Sequence, residues 1–113
     1  LGASGTIAGH VARRLVSKGD QLLLVGRNRE KLDVLLNELG QPIAVANTQD
    51  SAALEACIAE FSSIYGSIDG IVNCIGSILL KPAHLTSDQD FIETVQTNLM
   101  TSFCAVKVGA SLM

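Results

Sequence analysis

Apolar positions along this chain follow two periods in alternation. From Thr6 to Lys18, Ile7, Ala8, Val11, Ala12, Leu15 and Val16 recur at helical spacing, Arg13, Arg14 and Lys18 fall on the opposite side, and Gly19 supplies a stop. Gln21 to Val25 (QLLLV) is a short continuous apolar run, the mark of a strand covered on both faces. Arg29 to Leu39 then sets Leu32, Leu35, Leu36 and Leu39 on one stripe and ends at Gly40-Gln41-Pro42. Ile43 to Ala46 reads as the next strand. Asp50 to Tyr65 reads as a helix with Leu54, Cys57, Ile58, Phe61 and Tyr65 on one face, closed by Gly66, and Asp69 to Ile75 as a further strand. Gly76 to Ser87 is expected to be a loop, because Lys81-Pro82 bars helix there. Ser87 can cap a last helix that opens with Asp88 and Asp90 at the positive end of its dipole.

Short buried strands alternating with helices predict an α/β fold, a doubly wound parallel sheet with right-handed crossovers. No internal repeat, low-complexity tract or linker interrupts the pattern, so residues 1–113 read as a single domain. The glycine-rich turn at Leu1 to Gly9 needs a strand of about five residues feeding it. Most of a first strand is therefore expected to lie before Leu1. The helical pattern from Phe91 runs to Met113 without a Gly or Pro exit, so the sequence reads as a piece truncated at both ends.

Composition narrows the function. The chain has 113 residues, 48% of them apolar, enough for one core. Eight basic against eleven acidic residues give a formal charge of −3, and no Lys/Arg block marks a nucleic-acid or anionic-membrane surface. Cys57, Cys74 and Cys104 are widely spaced, lack any CxxC pattern and sit in apolar stretches, so reduced thiols and no metal site are expected. No apolar run approaches the roughly twenty residues of a spanning helix, and no signal peptide precedes the fold. The expectation is a soluble, cytoplasmic protein.

The opening turn carries the chemistry. Gly2 lets the chain leave a strand with unusual dihedrals, Ser4 and Gly5 keep side chains small where backbone amides approach a pyrophosphate, and Ala8 permits close contact of helix with sheet. A tight turn aimed at a helix N-terminus is what phosphate binding requires. Arg27 follows Ala8 by nineteen positions, at the tip of the second strand, where NAD-preferring sites carry an acid for the ribose 2′-hydroxyl. A carboxylate there would repel a 2′-phosphate, whereas a guanidinium grips it, so NADP (NADPH) is favoured over NAD. Asn28 adjoins that tip, and Arg29 is the nearest rival for the role.

On these residues the chain resembles the short-chain dehydrogenase/reductase family. Gly2-Ala3-Ser4-Gly5-Thr6-Ile7-Ala8 is similar to that family's TGxxxGxG, and Asn73-Cys74-Ile75-Gly76 to its NNAG, reached through Asp69-Gly70-Ile71-Val72. Asn47 falls where the family has an Asp beside the adenine, and Asn98 matches the Asn of its Asn-Ser-Tyr-Lys catalytic set. The resemblance spans the chain in order and spacing. Leu1, Thr6, Ala8, Asn47, Cys74 and Ile75 depart from the pattern, and Ile75 adds bulk where the cofactor's ribose should pass.

The resemblance implies a Rossmann fold and hydride transfer between a nicotinamide and a carbonyl or alcohol substrate, with this chain as the cofactor-binding portion. Gly2, Ser4, Gly5, Thr6 and Ile7 would cradle the pyrophosphate, Arg27 and Asn28 the 2′-phosphate, Asn47 and Thr48 the adenine, and Asn73, Cys74, Ile75 and Gly76 the ribose. Asn98 would support a water in the proton relay. The family's YxxxK pair is absent, since no lysine follows Tyr65 by four residues, so these residues alone are expected to be inactive. The family also implies a homo-oligomer, often built on the helix beginning near Phe91. A non-catalytic NAD(P) sensor or scaffold is the rival reading. An epimerase-like relative is another, because GASGTIA can be phased as GxxGxxA.

Overall fold

The computed structural model describes residues 1–113. Helix α1 spans Thr6–Ser17, strand β1 Leu24–Gly26, α2 Arg29–Leu39, β2 Ile43–Val45 and α3 Ser51–Tyr65. After a single 3-10 turn at Ala83–Leu85, α4 (Asp88–Val95) passes through a π-helical turn at Gln96–Met100 into α5 (Thr101–Leu112).

The helix ends follow local chemistry. α1 stops in a Schellman arrangement, with Gly19 at φ +91, Gly19 N donating to Val16 O and Asp20 N to Leu15 O. Asn28 caps α2 by accepting from Lys31 N, and Asp50 caps α3 by accepting from Ala52 and Ala53 N. Ser87 and Asp90 form a reciprocal capping box at α4.

β1 and β2 are parallel, with Leu24 opposite Ile43, Val25 opposite Ala44 and Gly26 opposite Val45. On the other side of β1, Ala3 N donates to Val25 O at 3.0 Å. Leu1 in turn joins residues 72–74, its amino group donating to Val72 O at 2.6 Å and its carbonyl accepting from Cys74 N at 3.2 Å. The spatial order is therefore 43–46, 24–26, 1–3, 72–74. Numbered along the chain this is 3-2-1-4, the order of a doubly wound sheet that reverses direction beside its first strand.

Three boundaries differ from the sequence expectation. The run Asp69 to Ile75 is not a regular strand, because its neighbour offers only the single rung at Leu1. β1 begins at Leu24 rather than Gln21, since Leu24 N is the first amide in the run to reach the next strand, at Pro42 O. The loop after Gly76 contains a helical turn after all: Pro82 begins it rather than blocking it, its carbonyl accepting from Leu85 N and Thr86 Oγ1.

Alternation along β1 divides the core. Leu24 packs with Ala3, Ala12, Leu32 and Leu35 under α1 and α2, while Val25 packs with Leu54, Ile58, Cys104 and Val108 under α3 and α5. Helices thus cover both faces, which explains the uninterrupted apolar run of QLLLV. The uneven helix from Asp88 to Leu112 was not foreseen. Around its π-helical turn, Thr94, Asn98, Thr101 and Ser102 each donate a side-chain hydrogen to the carbonyl four residues earlier. Such back-bonding competes with the regular ladder and bends a helix.

Candidate functional site

Gly2 sits at φ +74, a conformation that favours glycine, and an added Cβ would lie 2.8 Å from Ile75 Cγ1. Gly5 closes the turn, its amide donating to Gly2 O at 2.9 Å, and acts as the N-cap of α1. A Cβ there would come within 3.3 Å of Gly2 O. Both positions therefore keep the backbone bare where the helix begins.

α1 differs from its neighbours at this end. α2, α3 and α4 each receive a side-chain cap, whereas α1 has none and carries no acid in its first turn. Its opening amides hold the partial positive charge of the helix dipole without an internal acceptor. Thr6 and Ile7 are exposed, Ile7 to 72%, and Ser4 is half-buried. This uncapped amide turn fits a phosphate bridge of a dinucleotide, and the missing Cβ atoms leave the backbone open to it.

At the tip of β1, Arg27 is exposed and makes no ion pair or side-chain hydrogen bond. Its rival Arg29 is engaged, Nε lying 2.9 Å from Asp33 Oδ1 one turn along α2. Asn28 has its side-chain oxygen committed to the cap of α2, which leaves only its amide hydrogens for another partner. Just past β2, Asn47 forms an Asx turn, accepting from Gln49 N at 3.1 Å. Thr48, next to it, is buried to 3% exposure.

The tip of the 72–74 segment is pinned at several points. Cys74 N donates to Leu1 O, Ile75 N to Asn73 Oδ1 at 3.1 Å, and Asn73 Nδ2 to Ser102 Oγ at 3.3 Å. Ile75 does not project freely into the crevice; its Cγ1 lies against Gly2. Gly76 is exposed, and a Cβ there would meet Asn98 Oδ1 at 3.4 Å.

Asn98, the residue matched to the catalytic set, sits inside the π-helical turn. Its Oδ1 accepts from Ser77 N at 2.9 Å, and its Nδ2 donates to Thr94 O at 2.9 Å and Ser77 Oγ at 3.2 Å. The side chain thus clamps the crevice loop to the long helix, and its backbone carbonyl takes Ser102 Oγ. Nothing in sequence spacing announces the Ser77 partner. Further along the same loop, Lys81 Nζ lies 2.6 Å from Asp90 Oδ2, which also accepts from Ser87 N. These contacts hold the Asp90 carboxyl down from its usual value to about 2, chiefly through the Lys81 hydrogen bond.

The remaining candidates fall outside the crevice. Cys104 is buried in the core, and burial pushes the Cys57 thiol up while its Sγ donates to Leu54 O. His10 and His84 are exposed. No helix is long and apolar enough to cross a membrane.

Comparison with known proteins gives the family and the fold. The family model for short chain dehydrogenases matches residues 1–113, and the chain belongs to that family. It is 34% identical over 100 residues to the NADP-dependent 3-hydroxy acid dehydrogenase of Salmonella typhi, covering 86% of this chain and 40% of that protein. Among solved structures it is similar to a short-chain dehydrogenase of the glucose/ribitol type from Brucella melitensis, with a TM-score of 0.91, 28% identity, and coverage of 98% of this chain and 49% of the other. A serine dehydrogenase in complex with NADP+ matches at a TM-score of 0.89 and 28% identity, over 97% of this chain and 46% of the other. The chain spans about two fifths of the length of the curated relatives it matches. The doubly wound architecture and the family both stand on these matches.

Proposed function

We propose that residues 1–113 form one cofactor-binding unit of an NADP-dependent oxidoreductase that transfers hydride between a nicotinamide and a carbonyl or alcohol. The carrying observation is the pairing of an uncapped amide turn at α1 with an uncommitted guanidinium at the tip of β1. NADP dependence in the Salmonella relative and the NADP+ complex of the serine dehydrogenase support the choice of cofactor. In this reading Gly2, Ser4, Gly5, Thr6 and Ile7 hold the pyrophosphate. Arg27 and the Asn28 amide hold the 2′-phosphate, Asn47 and Thr48 the adenine, and Asn73 to Gly76 the ribose. When bound, the nicotinamide accepts or supplies the hydride.

Asn98 acts here as a support for the proton relay. Both of its amide hydrogens are taken, by Thr94 O and Ser77 Oγ, and its oxygen accepts from Ser77 N, so it orders the loop and helix around the reacting groups. The Tyr, Lys and Ser of the family's catalytic set have no counterpart in these residues, so the chain alone is inactive in this reading. In this reading the enzyme acts on a small molecule and is cytoplasmic. The seam of Ile92, Leu99, Phe103 and Val106, exposed along the long helix, suits a second copy of the chain.

Arg27→Asp in the complete gene product tests the reading. Loss of charge-assisted hydrogen bonds, with added repulsion, should weaken NADP by about 10- to 100-fold in calorimetric titration. NAD affinity should change by less than about threefold on the same scale. Equal losses for both would remove Arg27 from the site.

A further inference from the structure

Ile75 stands where the NNAG pattern has a small alanine, and its position gives it a mechanical role. Its Cγ1 is 2.8 Å from where a Gly2 Cβ would be, and its amide nitrogen 3.3 Å, so the side chain and backbone of residue 75 fill the space beside the nucleotide turn that a side chain at position 2 would need. Ile75 cannot easily yield. Cys74 N is bonded to Leu1 O before it, its own amide to Asn73 Oδ1, and Ser77 N to Asn98 Oδ1 after it. From Gly2 the contact continues through Gly5 N on Gly2 O, 2.9 Å, and Gly9 N on Gly5 O, 2.9 Å, into the first turn of α1.

We propose that Ile75 is a positioning residue, a rigid spacer whose γ-carbon fixes the glycine turn, and with it the uncapped amides of α1, at the distance from the 72–76 segment that a dinucleotide requires. The inference rests on the cofactor reading above. A glycine at positive φ is the softest point of such a turn, and β-branched Ile75 is stiff about χ1, so the bulky partner supplies the rigidity that the glycine lacks. The same substitution that looks like an obstacle to the ribose in the sequence therefore acts sideways, on the turn. Its side chain is spent on Gly2.

The two readings of Ile75 predict opposite signs. A spacer removed should loosen binding, because a site about 1 Å too loose loses function although every contact group is present. An obstacle removed should tighten it. In the complete gene product, NADPH affinity would be measured by fluorescence titration for the parent, Ile75→Ala and Ile75→Val, with thermal melts alongside. Val keeps a γ-carbon and is expected to bind within about twofold of the parent, whereas Ala should bind about five- to tenfold more weakly. Hydrogen exchange of the unliganded protein supplies a second readout. Amides of residues 2–8 should exchange faster in Ile75→Ala while those of α3 stay unchanged.

Binding by Ile75→Ala equal to or tighter than the parent would overturn the proposal, as would equal losses in Ala and Val or a uniform rise in exchange over the whole chain. A parent protein that binds neither NADPH nor NADH would instead overturn the cofactor reading itself, and the spacer role with it. That result is distinct from a parent that binds and a variant that binds just as well.

Discussion

Replacing Gly2 with alanine isolates the most constrained point of the site. Two costs add. Holding alanine at φ +74 costs roughly 1–2 kcal/mol, because Cβ approaches the following carbonyl in the left-handed region. The new Cβ would also meet Ile75 Cγ1 at 2.8 Å, Ile75 N at 3.3 Å and the Cys74 carbonyl carbon at 3.4 Å. Two of these three are backbone atoms of a pinned segment, so relief requires the strand tip to shift, and overpacking of this kind costs about 1–3 kcal/mol. Gly40 provides the control. It lies at φ +64 with nothing within 4 Å of its Cβ position, so Gly40→Ala carries the backbone strain alone.

The expected order is therefore clear. Gly40→Ala should cost about 1 kcal/mol, after the loss of unfolded-state freedom offsets part of the strain, and Gly2→Ala about 2–4 kcal/mol. Urea unfolding of the complete gene product reads both. With a slope of about 2 kcal/mol/M, the Gly2 variant should unfold about 1–2 M earlier than the parent. Adding Ile75→Ala removes the closest clashing atom, so the double variant should lose less than the sum of the single losses. The reasoning is refuted if Gly2→Ala lies within about 0.5 kcal/mol of Gly40→Ala, since Gly2 would then have room that the distances deny it.

Two other consequences are directly measurable. The Asp90 carboxyl, lowered by Lys81 and the Ser87 amide, should titrate near 2 by NMR, and Lys81→Met should move it up toward its usual 3.8. Because the folded value is the lower one, this link between loop and helix is complete above the unfolded value and is lost only as pH falls toward 2; a Lys81→Met titration unchanged from the parent would refute the contact. Asn98→Ala leaves Ser77 N without its acceptor and should cost about 1–2 kcal/mol. Exchange at the Ser77 amide should accelerate in that variant, and unaltered protection would show that the clamp is not what holds the loop.

How much of this was legible in the sequence depends on the range of the interaction that decides each feature. α1, α2 and α3 were readable almost to the residue, because their apolar stripes, caps and stops are local; Asp50 proved to be the cap of α3 rather than its first residue. Strand limits were less readable. A strand exists only where a partner supplies rungs, and the run Asp69 to Ile75 has one at Leu1. The π-helical turn arises from side chains reaching back to carbonyls along an otherwise ordinary helical pattern, with no proline or glycine to flag it. Ser77 and Asn98 meet across 21 positions, a separation that no periodicity encodes. The burial of Thr48 was likewise not legible, because it depends on where the chain turns after β2 rather than on the residue type.

Leu24 and Val25 are adjacent in the chain but belong to different cores, one beneath α1 and α2, the other beneath α3 and α5. The three residues of β1 thus form a partition one peptide thick, with side chains on each face that never touch those on the other. Sequence drift on one side then needs no compensating change across the wall. The side chains packed beneath α1 and α2 can therefore change in size or shape without disturbing those packed beneath α3 and α5.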